Sequence, residues 1–220
     1  MTYSGGANTY GTVFSLSSSG GTPAVLYSFD FTHGANPDGS LTLSGSTLYG
    51  MTCHGGASYH GEVFSLSTSG GTPTILFSFD NSHSLNPNGS LTLNGSTLYG
   101  MTPFGGASGN GTVFSLPTSG GTLAVLFSFD APHGANPYGD LTLYGSTLYG
   151  MTYNGGASGY GTVFSLPASG GTPTVLFNLD STHGRNPFGS LILNGSTLYG
   201  MTAYGGALPV RNRCEERLRA

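Results

Sequence analysis

A fifty-residue period constrains this chain more than any other feature. MTYSGGANTYGTVFSL begins at Met1, MTCHGGASYHGEVFSL at Met51, MTPFGGASGNGTVFSL at Met101 and MTYNGGASGYGTVFSL at Met151. A fifth start, MTAYGGA, opens at Met201 and breaks off at Ala207. Repetition on this scale marks stacked units, each too small to bury its apolar face alone.

Each copy divides into four short β candidates. In the third they are Gly111 to Leu116 (GTVFSL), Val125 to Phe129 (VLFSF), Leu141 to Leu143 (LTL) and Thr147 to Thr152 (TLYGMT). Gly-rich turns at Thr118 to Thr122 and Tyr144 to Ser146 suit tight hairpins, because glycine takes positive φ without steric cost. The two other connections are longer. Gly, Ser, Thr, Asn and Pro fill the polar positions and Val, Phe, Tyr and Thr the apolar runs, which disfavours helix and favours strand. In VLFSF, alternation puts Val125, Phe127 and Phe129 on one side and Leu126 on the other, so both faces are partly apolar, as in a sheet between neighbouring sheets. The glycine inside TLYGMT (Gly50, Gly100, Gly150, Gly200) predicts close approach of another backbone near a crowded axis.

Four strands per repeat predict an all-β fold: a β-propeller of four-stranded blades occupying residues 1–207. With LTL as innermost strand A, followed by TLYGMT (B), GTVFSL (C) and VLFSF (D), the chain opens on C and D and ends on A and B. Two expectations follow from this phase. Strand exchange between the ends would close a four-bladed ring, or the array is a section of a longer one. Residues 208–220 (LPVRNRCEERLRA) leave the repeat and read as a frayed or weakly helical tail.

Charge narrows the partners. Residues 1–207 hold seven acids and a single base, Arg185, while four arginines crowd the tail. So base-poor a body cannot neutralise phosphates, which excludes nucleic acid. No apolar run is long enough for a membrane span, no leader precedes the first repeat, and Cys53 and Cys214 form no disulfide framework or zinc spacing.

The pattern GGA-x3-GTVFSL, SGGT-x2-VLFSF, H-G-x-NP-x-GSLTL, GSTLYGMT resembles the tandem repeats called GloVer, the Gloeobacter/Verrucomicrobia-type extracellular repeats, across residues 1–207. The resemblance implies a bacterial, extracellular or cell-surface setting and implies no reaction.

Antiparallel order places the A–B and C–D turns on one face and the B–C and D–A loops on the other. The loop face carries the differences between copies: Tyr3, Tyr10, His54, Tyr59, His60, Phe104, Tyr153 and Tyr160 in the B–C loops, with Asp38, Asn88, Tyr138 and Phe188 at matching D–A positions. Aromatic rings, imidazoles and amides on one face suit binding of a glycan or another extracellular protein, although loops also vary where packing does not restrain them. A second set recurs in every copy as D-x-x-H-x-x-N-P: Asp30/His33/Asn36, Asp80/His83/Asn86, Asp130/His133/Asn136 and Asp180/His183/Asn186. Its spacing permits metal ligation, but identical triplets in all copies favour local hydrogen bonding. Glu62 and Asp140 break the repeat and read as surface changes. No catalytic motif stands out, so no enzyme, cofactor or metal is expected. The leading expectation is a non-enzymatic binding or display module. A propeller-type glycoside hydrolase or polysaccharide lyase is the alternative and would require an axial pocket with paired carboxylates; an inactive fragment of a longer array is a third.

Overall fold

A computed structural model describes residues 1–80 and 86–206, and the 208–220 tail lies outside the described residues. Sixteen strands occur in chain order among those residues. Three sheets are complete. The first holds β3 (Thr42–Ser44), β4 (Thr47–Thr52), β5 (Glu62–Ser67) and β6 (Thr74–Ser78). β7 (Thr92–Asn94), β8 (Thr97–Thr102), β9 (Thr112–Pro117) and β10 (Ala124–Ser128) form the second. In the third are β11 (Thr142–Tyr144), β12 (Thr147–Thr152), β13 (Thr162–Pro167) and β14 (Thr174–Asn178). Two half-sheets flank them: β1 (Thr12–Ser15) with β2 (Ala24–Ser28), and β15 (Ile192–Asn194) with β16 (Thr197–Tyr199). The architecture is a propeller-type array of up-and-down blades. The terminal half-sheets remain separate, so the composite blade that would close a ring is not formed.

Packing between blades follows from the repeat. Phe79 and Phe114 meet edge to face across the first seam, and Phe29–Phe64 and Phe129–Phe164 repeat that contact. All six rings are fully buried. The glycine of strand B is approached by a side chain rather than by another backbone: a Cβ on Gly100 would lie 2.5 Å from the Phe114 Cζ. Gly100 and Phe114 are cross-strand partners, so the ring covers a neighbour that has no side chain of its own. The backbone crowding expected there occurs instead just before strand A, where a Cβ on Gly39, Gly89 or Gly139 would meet the carbonyl oxygen of the equivalent glycine in the next blade.

Strand D departs from simple alternation. Val125 pairs with Phe114 and Phe127 with Val113, leaving Leu126 as an extra residue in a β-bulge. Val125 and Phe127 therefore do not share a face, while Phe127, Phe129 and Leu126 all join the seam with the third blade. The bulge has a use. The Leu126 carbonyl is free to accept the Gly171 amide at 3.3 Å, and Leu26 and Leu76 accept Gly71 and Gly121 in the same way.

Both loop faces form as the antiparallel order requires. Thr68 in a C–D turn donates its amide to Ser46 in an A–B turn, and Ala35 in a D–A loop exchanges backbone hydrogen bonds with His54 in a B–C loop.

Candidate functional site

The four copies converge where the D–A loop enters strand A. Six residues before strand A begins, Asn36, Asn86, Asn136 and Asn186 take left-handed φ of 53–56°, a region that asparagine tolerates better than most residues. Each turn is then locked by the asparagine side chain, whose Nδ2 donates to the carbonyl of Tyr3, Cys53, Pro103 or Tyr153. The next few residues line the axis.

Hydrogen bonds link equivalent positions there. Ser40 N donates to Ser90 Oγ at 2.8 Å, Ser90 N to Asp140 Oδ1 at 2.6 Å, and Asp140 N to Ser190 Oγ at 2.9 Å. Below them Thr42, Thr92 and Thr142 donate their hydroxyls to the carbonyls of Leu91, Leu141 and Leu191. Asp140 is therefore not a surface change: it is half-buried and replaces a serine acceptor in the axial ladder with a charged one.

These residues enclose a depression of about 310 Å³ lined by Asp38, Ser40, Asn88, Ser90, Tyr138, Asp140, Phe188 and Ser190. One wall is aromatic. Tyr138 stacks on Phe188 at 4.9 Å and 23°, and Tyr153 meets Tyr138 at 5.6 Å and Phe188 at 4.9 Å, edge to face in both cases. Phe104 adds its edge to Tyr138 at 6.3 Å. The other wall is polar: Asn88 Nδ2 donates to Asp38 Oδ2 at 3.2 Å. Burial, and then the neighbouring Tyr153 phenol, raise the Tyr138 pKa above the ordinary tyrosine value. Its hydroxyl is thus available as a donor at neutral pH.

Of the ten loop-face candidates, Tyr138 and Phe188 line this depression, and Phe104 and Tyr153 pack against them from outside it. Tyr10 and Tyr59 flank Phe31 at 5.2 and 5.7 Å. Tyr160 lies under the Arg185 guanidinium at 5.2 Å. His54 Nδ1 is 3.0 Å from Asn86 Nδ2. Tyr3 and His60 contribute main-chain carbonyls, accepting from Asn36 Nδ2 and the Asn86 amide.

The sequence of Asp38, Asn88, Tyr138 and Phe188 pointed to difference between copies but not to convergence. Nothing in linear spacing says that positions fifty residues apart face one another.

The recurring Asp–His pairs stand in the D–A loops. His33 Nδ1 lies 2.9 Å from Asp30, His133 Nδ1 2.6 Å from Asp130, and His183 Nδ1 3.0 Å from Asp180. Each aspartate also accepts the histidine amide. At Asp30 and Asp130 partial burial pushes the carboxyl pKa up, but the bonds from histidine outweigh it and the net shift is downward. At Asp180 the His183 amide leads, and the shift is again downward. The pairing in the second copy involves His83, which lies outside the described residues. Among the described residues no group of three or more His, Cys, Asp or Glu is placed to hold a metal ion.

The sequence profile of the Gloeobacter/Verrucomicrobia repeat matches residues 1–210. The chain belongs to this repeat family. Similar solved structures share the propeller-type fold. A chain of the nidogen/laminin complex aligns with a TM-score of 0.61 at 19% identity, covering 89% of this chain and 65% of that one. A TolB-type protein of Agrobacterium tumefaciens aligns with a TM-score of 0.50 at 16% identity, covering 76% of this chain and 57% of that one. The chain thus spans less than two-thirds of either structure. No curated protein matches it at a significant level.

Two side chains set the second copy of this Gloeobacter/Verrucomicrobia array apart. Cys53 is buried, donates to the Pro87 carbonyl at 3.0 Å, and has its thiol pKa pushed up to about 12, by burial first and then by Asp38. Glu62 is also buried, at 2% exposure, which corrects its reading as a surface change. It opens strand C inside a seam, where Thr12, Thr112 and Thr162 stand in the other copies, and its side chain folds beneath Gly56. Ser78 Oγ donates to Oε1 at 2.9 Å, but Oε2 is buried without a partner. Burial raises the Glu62 pKa above its ordinary 4.5; nearby Asp30 adds to that rise, while the Ser78 bond and His33 oppose it. A raised carboxyl stabilises the fold below pH 4.5 and loses that contribution as pH climbs through the folded value. Glu62→Thr, which reinstates the repeat residue, is therefore expected to gain about 1–2 kcal/mol at pH 7. Urea titrations from pH 4 to 8 should show the gain vanishing toward the acid end.

Proposed function

We propose that this array is a non-enzymatic, extracellular carbohydrate-binding module of a bacterial protein, with the axial depression as its binding site. The observation that carries the reading is the pairing, in one depression, of two stacked rings, Tyr138 and Phe188, backed by Tyr153, with the polar groups of Asp38 and Asn88. A sugar ring presents an apolar C–H face and a rim of hydroxyls. Aromatic rings cover the first, and carboxylates, amides and hydroxyls satisfy the second. The scarcity of basic side chains in residues 1–207 argues against phosphate-bearing ligands. An extracellular setting is what the resemblance of the repeat motifs to the GloVer repeats implies.

Binding is tested by titrating neutral and acidic oligosaccharides against the intact chain and the variants Tyr138→Ala and Phe188→Ala. Loss of one stacking ring should weaken binding about tenfold, corresponding to about 1.4 kcal/mol. Equal affinity in the variants would overturn the assignment of this site.

A second reading rests on the same depression. Asp38 and Asp140 both line it, as a carbohydrate-active enzyme would require. Release of reducing ends or unsaturated products from polysaccharide, abolished by Asp140→Asn, would establish the enzyme in place of the binding module.

A further inference from the structure

The corner between the first D–A loop and the second copy holds groups that the matching corner between the third loop and the fourth copy lacks. A cavity of about 470 Å³ lies in the former, lined in part by Phe31, Tyr59, Glu62, Ile75 and Ser78. Its counterpart, about 440 Å³, is lined by Ala131, Pro132, Gly156, Ala157 and Asn178. In the repeat alignment Ala131 stands for Phe31, Gly159 for Tyr59 and Thr162 for Glu62. Two rings and a carboxylate are thus added to one corner of a repeated frame. We infer that this corner binds a primary ammonium group on a small organic body, the ammonium donating to the Glu62 carboxylate while Phe31 and Tyr59 cover the body beside it.

The carboxylate carries the argument. Glu62 is 2% exposed; its Oε1 accepts from Ser78, and its Oε2 makes no hydrogen bond. The Ala57 amide favours the charge without closing a bond on Oε2. Asp30 and His33 on the facing loop pair with each other and act on Glu62 in opposite directions, so neither supplies the missing donor. A buried acceptor without a donor destabilises the fold, and a ligand that brings one removes that cost. Glu62 lines the cavity, and its terminal torsion is a broad one, so a small rotation turns the unpaired oxygen toward an incoming group.

The chemistry of the donor follows. An ammonium N–H gives a charge-assisted bond, stronger than one from a neutral hydroxyl, and a cation is also attracted by aromatic faces. A quaternary ammonium has no N–H to give. A hard metal ion needs several oxygen ligands, and among the described residues no group of three His, Cys, Asp or Glu is placed to provide them.

Both rings are held in backbone conformations unusual for bulky side chains. Phe31 takes φ 71° and Tyr59 φ 68°. Glycine fills the Tyr59 position in the third and fourth copies, as Gly109 and Gly159, while Ala131 opens a short 3-10 turn where Phe31 stands in the first. Phe31 and Tyr59 lie 5.7 Å apart at 40°, with Tyr10 against Phe31 at 5.2 Å. Tyr59 is 67% exposed, so most of its ring is open to cover a ligand. The axial depression shares no lining residue with this cavity, and the inference stands whether or not that depression holds a sugar.

The test is titration calorimetry of the intact chain at pH 7 with two ammonium probes, glucosamine and Nα-acetyl-lysine methylamide, each beside its N-acetylated, uncharged form. At least one ammonium probe should bind, at least tenfold more tightly than its acetylated form, and the tighter of the two tells whether the body is a sugar or an alkyl chain. Glu62→Gln should weaken that binding about tenfold or more. Tyr59→Gly, which restores the residue of the third and fourth copies, should weaken it several-fold. Glu62→Thr, the repeat residue, is expected to be the more stable chain, so loss of binding there cannot come from misfolding. Binding of neither ammonium probe, or equal binding by the unmodified chain and Glu62→Gln, would overturn the inference. So would a probe whose binding survives Glu62→Thr and is lost in Tyr138→Ala, which would place the ammonium in the axial depression instead.

Discussion

Phe114→Ala is expected to destabilise the array by about 3–5 kcal/mol, measured as a drop in the urea unfolding midpoint. The ring is fully buried and does three things at once. It fills the seam between the first two blades, meets Phe79 at 5.6 Å edge to face, and covers the strand-B glycine opposite it. Truncation leaves Gly100 and alanine facing each other across the ladder and opens a cavity beside Phe79 and Leu91. Coupling to Gly100 gives a sharper test. Gly100→Ala alone drives a Cβ into the Phe114 ring and should destabilise; combined with Phe114→Ala, the same change adds methyl volume where space has opened. The double variant should therefore be more stable than the sum of the two losses predicts, a non-additivity that distant residues do not show.

Gly139→Ala is the second large effect, at about 3 kcal/mol, the upper end of what overpacking costs. Its Cβ would lie 2.1 Å from the Gly189 carbonyl oxygen. A clash with a side chain is relieved by rotation, but this one is with backbone. Relief requires the third and fourth copies to separate at the axis, which would stretch the bond from Asp140 N to Ser190 Oγ and the Thr142 contact beneath it. Gly189→Ala is the matched control. With nothing within 4 Å of its Cβ, it should leave the unfolding midpoint nearly unchanged. If both substitutions behave alike, the axial contact is not what holds the blades together.

Much of the fold was legible because its signals are local and recur in every copy. Gly195 and its counterparts Gly45, Gly95 and Gly145 take the positive φ of the A–B turn, as a two-strand hairpin of this length demands. Strand boundaries came within a residue of those found, GTVFSL against Thr112–Pro117 and VLFSF against Ala124–Ser128. The bulge at Leu126 was not legible, because a bulge depends on what the partner strand and the next blade offer. Its carbonyl is released toward a glycine amide that lies in the following repeat.

The candidate site divides along the same line. Variation at Asp38, Asn88, Tyr138 and Phe188 was visible in the chain, and so was the oddity of Asp140 and Glu62. Their environments were not. Glu62 sits on a strand whose burial is imposed by neighbouring blades, and Asp140 on a row of residues fifty apart that meet only when blades stack.

By itself, the sequence determined the unit: four short antiparallel strands, their order, their hairpins and the face on which the loops gather, since these depend on φ preferences and polarity within a few residues. Only the tertiary structure decided which copies touch, that the loop positions before strand A converge on an axial depression, and that the two end half-blades are left unjoined. Those outcomes depend on the rotation from one blade to the next, a sum of side-chain contacts across each seam that no single repeat contains.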